Sequence, residues 1–203
     1  MPTLSESAIA DLLTPYLPDP PATLFPQLST YLDLLLKWNA RTNLTAIRDP
    51  EEIVRRHFGE SLFAARHLNP TTPDPGPMTL PDFGSGAGFP GLPIALLRPH
   101  LQVTLAESQN KKAAFLREAV RTLNLPNVEV WAARVEVLPA NRQFRVVTLR
   151  AVDNMEAALS AAKVRIAPGG LLALLTTVQQ SPKDGRSLPL PNSQSGILYL
   201  QTF

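Results

Sequence analysis

The sequence has no cysteine, which excludes disulfides, thiolate metal sites and cysteine nucleophiles at once. Histidine is nearly as scarce: His57, His67 and His100 form no metal-ligand spacing, and the carboxylates suggest no cage, so no metal is expected. Charge is sparse, at 18% charged residues with a formal net charge of +2, so neither a polyacidic nor a polybasic tail is present. A pI near 9.1 is compatible with a nucleic-acid partner without requiring one. No apolar run reaches membrane-spanning length, and Met1 to Glu6 lacks the basic and apolar regions of a signal peptide. A cytoplasmic protein with no membrane partner is therefore expected. Proline is in excess, at 21 of 203 residues. At 44% hydrophobic residues, a chain of this length can bury one substantial core.

The N-terminal third reads as helical. Ser5 can cap a helix through Leu13, which Pro15, Pro18, Pro20 and Pro21 end. Leu28, Tyr31, Leu32, Leu35 and Leu36 recur at helical spacing, with Trp38 and Phe58 as core candidates. Asp49-Pro50-Glu51-Glu52 is a capping box with proline at the first helical position, opening a helix toward His67. Residues 1–68 thus form a helical cap, 69–77 a proline-rich linker, and 78–203 the main domain. There, apolar runs at 78–83, 103–106, 128–132, 146–149 and 171–176 alternate with helical patterns at 90–97, 111–123 and 154–166. Such alternation predicts an α/β fold with a doubly wound parallel sheet. Pro81 is awkward in a central strand because it removes a ladder donor. Residues 179–192 read as a polar loop and 196–203 as a last strand; with no crossover helix between, that strand must run antiparallel to its predecessor.

The segment Asp82-Phe83-Gly84-Ser85-Gly86-Ala87-Gly88-Phe89-Pro90-Gly91 lies between the first of these strands and a helix. Glycines at 84, 86 and 88 let the backbone turn sharply and bring its N–H groups close to a ligand. Read from Gly86, the loop is a dinucleotide fingerprint; read from Gly84, it has the form used for S-adenosylmethionine (SAM). Both cofactors ask for an acid about 20 residues on to hold the ribose hydroxyls, and Glu107 closes the next strand. The acid does not choose between them, but a terminal antiparallel strand suits methyltransferases better than nicotinamide dehydrogenases. Arg150, directly after the strand 146–149, must leave the sheet into the crevice. The arginines around the loop, including Arg55 and Arg56, are either solvated helix faces or a phosphate-binding surface. His57 on its long helix reads as structural, and Asn43 and Thr45 read locally as cap and turn residues.

Several stretches together resemble the bacterial 16S ribosomal RNA guanine-N7 methyltransferase family, also known as glucose-inhibited division protein B. They are Trp38-Asn39-x-x-x-Asn43-Leu44-Thr45, Arg56-His57-x-x-Glu60-Ser61, the loop from Gly84 to Pro93, Arg134-Val135-Glu136 and Arg150-Ala151, and the likeness runs over residues 28–177. The resemblance implies a Rossmann-like SAM-dependent methyltransferase fold with an N-terminal helical cap and a terminal antiparallel strand. It implies SAM contacts from Gly84, Gly86, Gly88 and Phe89, ribose binding by Glu107, and adenine contacts from Val135 and Glu136. Arg150 would contact SAM and face the reacting groups, while Arg55, Arg56 and His57 would meet RNA. The implied partner is 16S ribosomal RNA or the small ribosomal subunit, and a monomer is expected. Glu60 and Glu107 stand where the family usually has aspartate, Leu175-Thr176 where it commonly has lysine and glycine, and the C-terminal segment looks shortened. A nicotinamide-dependent oxidoreductase and a catalytically degenerate RNA-binding module are the alternative readings.

Overall fold

A computed structural model describes residues 2–71, 76–139, 141–151 and 154–203. The cap contains α1 (Glu6–Leu13), α2 (Leu24–Thr42), α3 (Pro50–Glu52) and α4 (Glu60–Arg66), with a π-helical stretch, Ile53–Gly59, joining the last two. Ser5 and Asp49 cap α1 and α3 as their chemistry demands, accepting from Ala8 N and Glu52 N. The predicted single helix from residue 50 is therefore real but widened midway, and such π turns tend to fall at functional places.

The main domain follows as β1 (Thr79–Phe83), α5 (Gly91–Leu97), β2 (Gln102–Ala106), α6 (Asn110–Thr122), β3 (Val128–Trp131), β4 (Phe144–Arg150), α7 (Met155–Lys163), β5 (Ile166–Thr177), β6 (Arg186–Pro189) and β7 (Gly196–Thr202). The sheet order is β3-β2-β1-β4-β5-β7-β6, with β1 to β5 mutually parallel and β7 antiparallel to both β5 and β6. β6 lies inside the stretch expected to be a loop. It is a short edge strand, where Pro189 needs no ladder donor. Pro81 is tolerated for a related reason: register between β1 and β4 begins only at Asp82 opposite Thr148, so the missing N–H faces no partner on that side.

Alternation along the strands sends side chains into two cores. Val146, Leu171, Ala173 and Leu198 pack with α2, α5 and α6, whereas Val147, Leu172, Leu174 and Tyr199 pack under α7. The first core also contains Leu28, Tyr31, Phe58 and Leu62, so the cap shares its interior with the sheet. Of the linker, residues 72–75 lie outside the described residues. Among the described residues, no helix is long and apolar enough to cross a membrane.

Candidate functional site

The glycine loop leaves the carboxyl end of β1 and bends under its neighbour. Gly84 N and Ser85 N both donate to Ala106 O, at 2.9 and 3.1 Å, and Ser85 Oγ donates to Asp82 O at 2.8 Å. Gly88, at φ 91°, has no room for a side chain: a Cβ there would lie 2.6 Å from the Tyr31 hydroxyl and against Leu92 Cδ1. At Gly86, φ 56°, a Cβ would make an ordinary contact with Gly84 O at 3.8 Å, and the Gly86 N–H donates to Glu107 Oε2 at 3.0 Å. Beneath the loop, Asp82 is fully buried. Its Oδ2 accepts from Gly91 N and its Oδ1 from Thr148 Oγ1, both at 3.1 Å. Burial raises this carboxyl pKa from 3.8 to about 6 against the pull of those hydrogen bonds.

Glu107, at the end of β2, is 6% exposed and accepts from Gln109 N at 2.7 Å as well as from Gly86 N. Each oxygen keeps a lone pair, so a ribose diol can still donate to it. Around it opens a hollow of about 390 Å³, within the range of small-ligand pockets. Gly84, Glu107, Val135, Glu136 and Ala151 line this hollow. Phe89, Gly86, Gly88 and Arg150 do not. Phe89 is instead buried in a ring cluster, with centroids 4.7 Å from His57 and 5.4 Å from Tyr31.

Arg150 ends β4 and lines a second, larger hollow of about 630 Å³ with Arg56, Glu60, Ala151, Thr176 and others. Its Nη2 donates to Glu60 Oε2 at 2.7 Å and to Arg56 O at 3.0 Å, while Nη1 is buried with no partner among the described residues. Thr176 Oγ1 is likewise buried with no partner among the described residues. Burial pushes the Glu60 carboxyl above its usual range although Arg150 and Arg56 pull it down. Ala151 walls both hollows and holds φ at 47°, a left-handed conformation that costs an alanine roughly 1 kcal/mol. The strain sits where the two cavities meet.

The π-helical turn of the cap faces this region. His57 Nε2 lies 2.7 Å from Thr45 Oγ1, and burial, reinforced by Arg150 and Arg56, holds the imidazole pKa down at about 3. His57 is thus a neutral, packed ring and offers no cation to a phosphate. Arg55 and Arg56 are the outward groups, paired with Glu51 at 2.8 Å and Glu52 at 3.7 Å. Asn43 is the left-handed cap of α2, and Asn39 holds the following loop through Thr45 N and Thr45 O, both at 3.0 Å.

The profile of a family described as rRNA small subunit methyltransferase G matches residues 25–183. The chain belongs to this family. The ribosomal RNA small subunit methyltransferase G of Nitrosomonas europaea is 44% identical over 68% of this chain and 61% of its own length; that of Stenotrophomonas maltophilia is 43% identical over 77% and 71%. The alignments therefore span only part of those relatives. Among solved structures, a SAM-dependent methyltransferase from Aquifex aeolicus superposes with a TM-score of 0.60 at 15% identity, covering 78% of this chain and 97% of that one. Coclaurine N-methyltransferase, bound to N-methylheliamine and SAH, gives a TM-score of 0.51 at 18% identity over 86% and 54%. The fold of this family member is that of the SAM-dependent methyltransferases. Sequence reasoning did not single out Asp82, or Arg165, whose Nη2 donates to Glu136 O and Leu138 O at 3.2 Å each and so fixes the wall beside Val135. Arg165 lies far from that wall in sequence and carries no local signal.

Proposed function

We propose that this protein transfers a methyl group from SAM to N7 of a guanine in 16S ribosomal RNA, as a cytoplasmic monomer acting on the RNA or the small subunit. The observation that carries the reading is the pair of hollows meeting at Ala151, one built around Glu107 and the other around Arg150. The names of the relatives support the substrate class. The smaller hollow fits the cofactor: Glu107 would take the ribose hydroxyls, Val135 and Glu136 would flank the adenine, and Gly84 would let the chain pass close by. Gly86 supports this from behind, through Glu107, while Gly88 and Phe89 set the loop against the cap. SAM supplies an electrophilic methyl carbon on a sulfonium.

Guanine N7 has an in-plane lone pair at neutral pH, so no proton must be removed before attack. Holding N7 in line with the departing sulfur makes the displacement effectively unimolecular, a gain that can reach about 7–11 kcal/mol. Arg150 orients the base, and Arg55 and Arg56 attach phosphates, with His57 bracing Phe89. Calorimetry should give saturable binding of SAM and none of NAD, and borohydride–aniline cleavage should map a new N7-methylguanine in treated 16S RNA. Binding of NAD in place of SAM would establish an oxidoreductase. RNA binding with no methyl transfer would establish a degenerate module.

A further inference from the structure

Resting on that reading, we propose that the ion pair between Arg150 and Glu60 selects the base: Arg150 Nη1 donates to guanine O6 while Glu60 Oε1 accepts from guanine N1–H. The pair is end-on. Arg150 Nη2 and Glu60 Oε2 meet at 2.7 Å, which leaves Nη1 of the guanidinium and Oε1 of the carboxylate outside the contact. Nη1 is shielded from water with no hydrogen-bond partner among the described residues, a costly state for a permanent cation unless a ligand completes it. Glu60 Oε1 lies 3.9 Å from Arg56 Nε, beyond hydrogen-bond reach. Both side chains are 11% exposed and both line the larger hollow.

A donor beside an acceptor is the complement of the O6 and N1–H edge of a guanine. Adenine presents the reverse, an amino group toward Arg150 and a lone pair toward Glu60, so both contacts become repulsive. Uracil shares the guanine pattern but has no imidazole nitrogen to methylate. With O6 and N1–H held, N7 is the remaining acceptor next to O6, and the hollow ends at Ala151, the wall it shares with the smaller cavity. The selection depends on the tertiary fold, since the two residues stand 90 positions apart and come from the cap and the sheet.

The test places inosine or 2-aminopurine at the methylated position of 16S RNA. Inosine keeps O6, N1–H and N7; 2-aminopurine keeps N7 and the 2-amino group but loses O6 and N1–H. Wild type should methylate inosine nearly as well as guanosine and lose about 10- to 100-fold in kcat/KM on 2-aminopurine. Glu60→Gln should shrink that ratio to within about threefold by losing activity on guanosine, whereas a merely structural role would lower both substrates together. Glu60→Asp keeps the acceptor and should restore the preference. As a readout without methyl transfer, GMP and IMP should compete for the hollow better than AMP, and this preference should vanish in Glu60→Gln. Equal use of 2-aminopurine by wild type, or an unchanged ratio in Glu60→Gln, would overturn the proposal while leaving the methyltransferase reading intact. A wild type that methylates no RNA would overturn both.

Discussion

Replacing Asp82 with asparagine should flatten the dependence of stability on pH without dismantling the cofactor loop. Asp82 is fully buried between β1 and β4, and burial lifts its pKa from 3.8 to about 6. Because the folded-state value exceeds the unfolded one, the favourable contribution is complete below about pH 4 and is lost as pH rises through about 6. At about 1.36 kcal/mol per pH unit, the shift from 3.8 to about 6 amounts to roughly 3 kcal/mol lost by neutral pH. Asparagine is neutral throughout. Its amide oxygen can accept from Gly91 N, and its amide nitrogen can donate to Thr148 Oγ1, which in turn donates to Pro81 O at 3.3 Å. Urea unfolding of both proteins at constant ionic strength from about pH 4 to pH 8 reads the effect as a difference curve. The variant should gain on wild type across that window by about 2–3 kcal/mol and then hold level. A difference independent of pH would refute the argument, since the carboxyl would then titrate alike in both states.

Gly88→Ala should lower stability by about 1–3 kcal/mol in thermal unfolding, because its Cβ would meet Tyr31 and Leu92; Gly86→Ala, strained by its left-handed φ but meeting only ordinary contact with Gly84 O, should lose less. Glu107→Gln should weaken SAM binding by about 1–3 kcal/mol in calorimetry, because an amide nitrogen must then face either Gly86 N–H or Gln109 N–H. Replacing Arg55 and Arg56 together by alanine should weaken RNA binding and reduce its salt slope by about 1.5, and an unchanged slope would return them to intrahelical pairing with Glu51 and Glu52.

The strand and helix pattern of the main domain was legible because its periodicities are local: two for the strands and near 3.6 for the helices. β6 escaped because four residues with a proline carry no strand signal, and pairing with β7 alone makes them one. The π-helical turn escaped for a similar reason, since its hydrogen bonding leaves no imprint on the apolar spacing. Phe89 is instructive in another way. Its place in the loop drew it toward the cofactor, yet rings from α2 and the π turn, distant in sequence, claim its side chain.

The parallel sheet, the sharp glycine turn, the acid at the end of β2 and the arginine at the end of β4 are readable along the chain, because each follows from local geometry. Which charges survive, and what they face, is set by long-range packing. It buried Asp82 and His57 so that their pKa values left the usual range, set Glu107 to hold the loop as well as face the hollow, and brought Glu60 to Arg150 across 90 residues. Burial and pairing depend on what the rest of the chain packs around a group, and no local pattern encodes that.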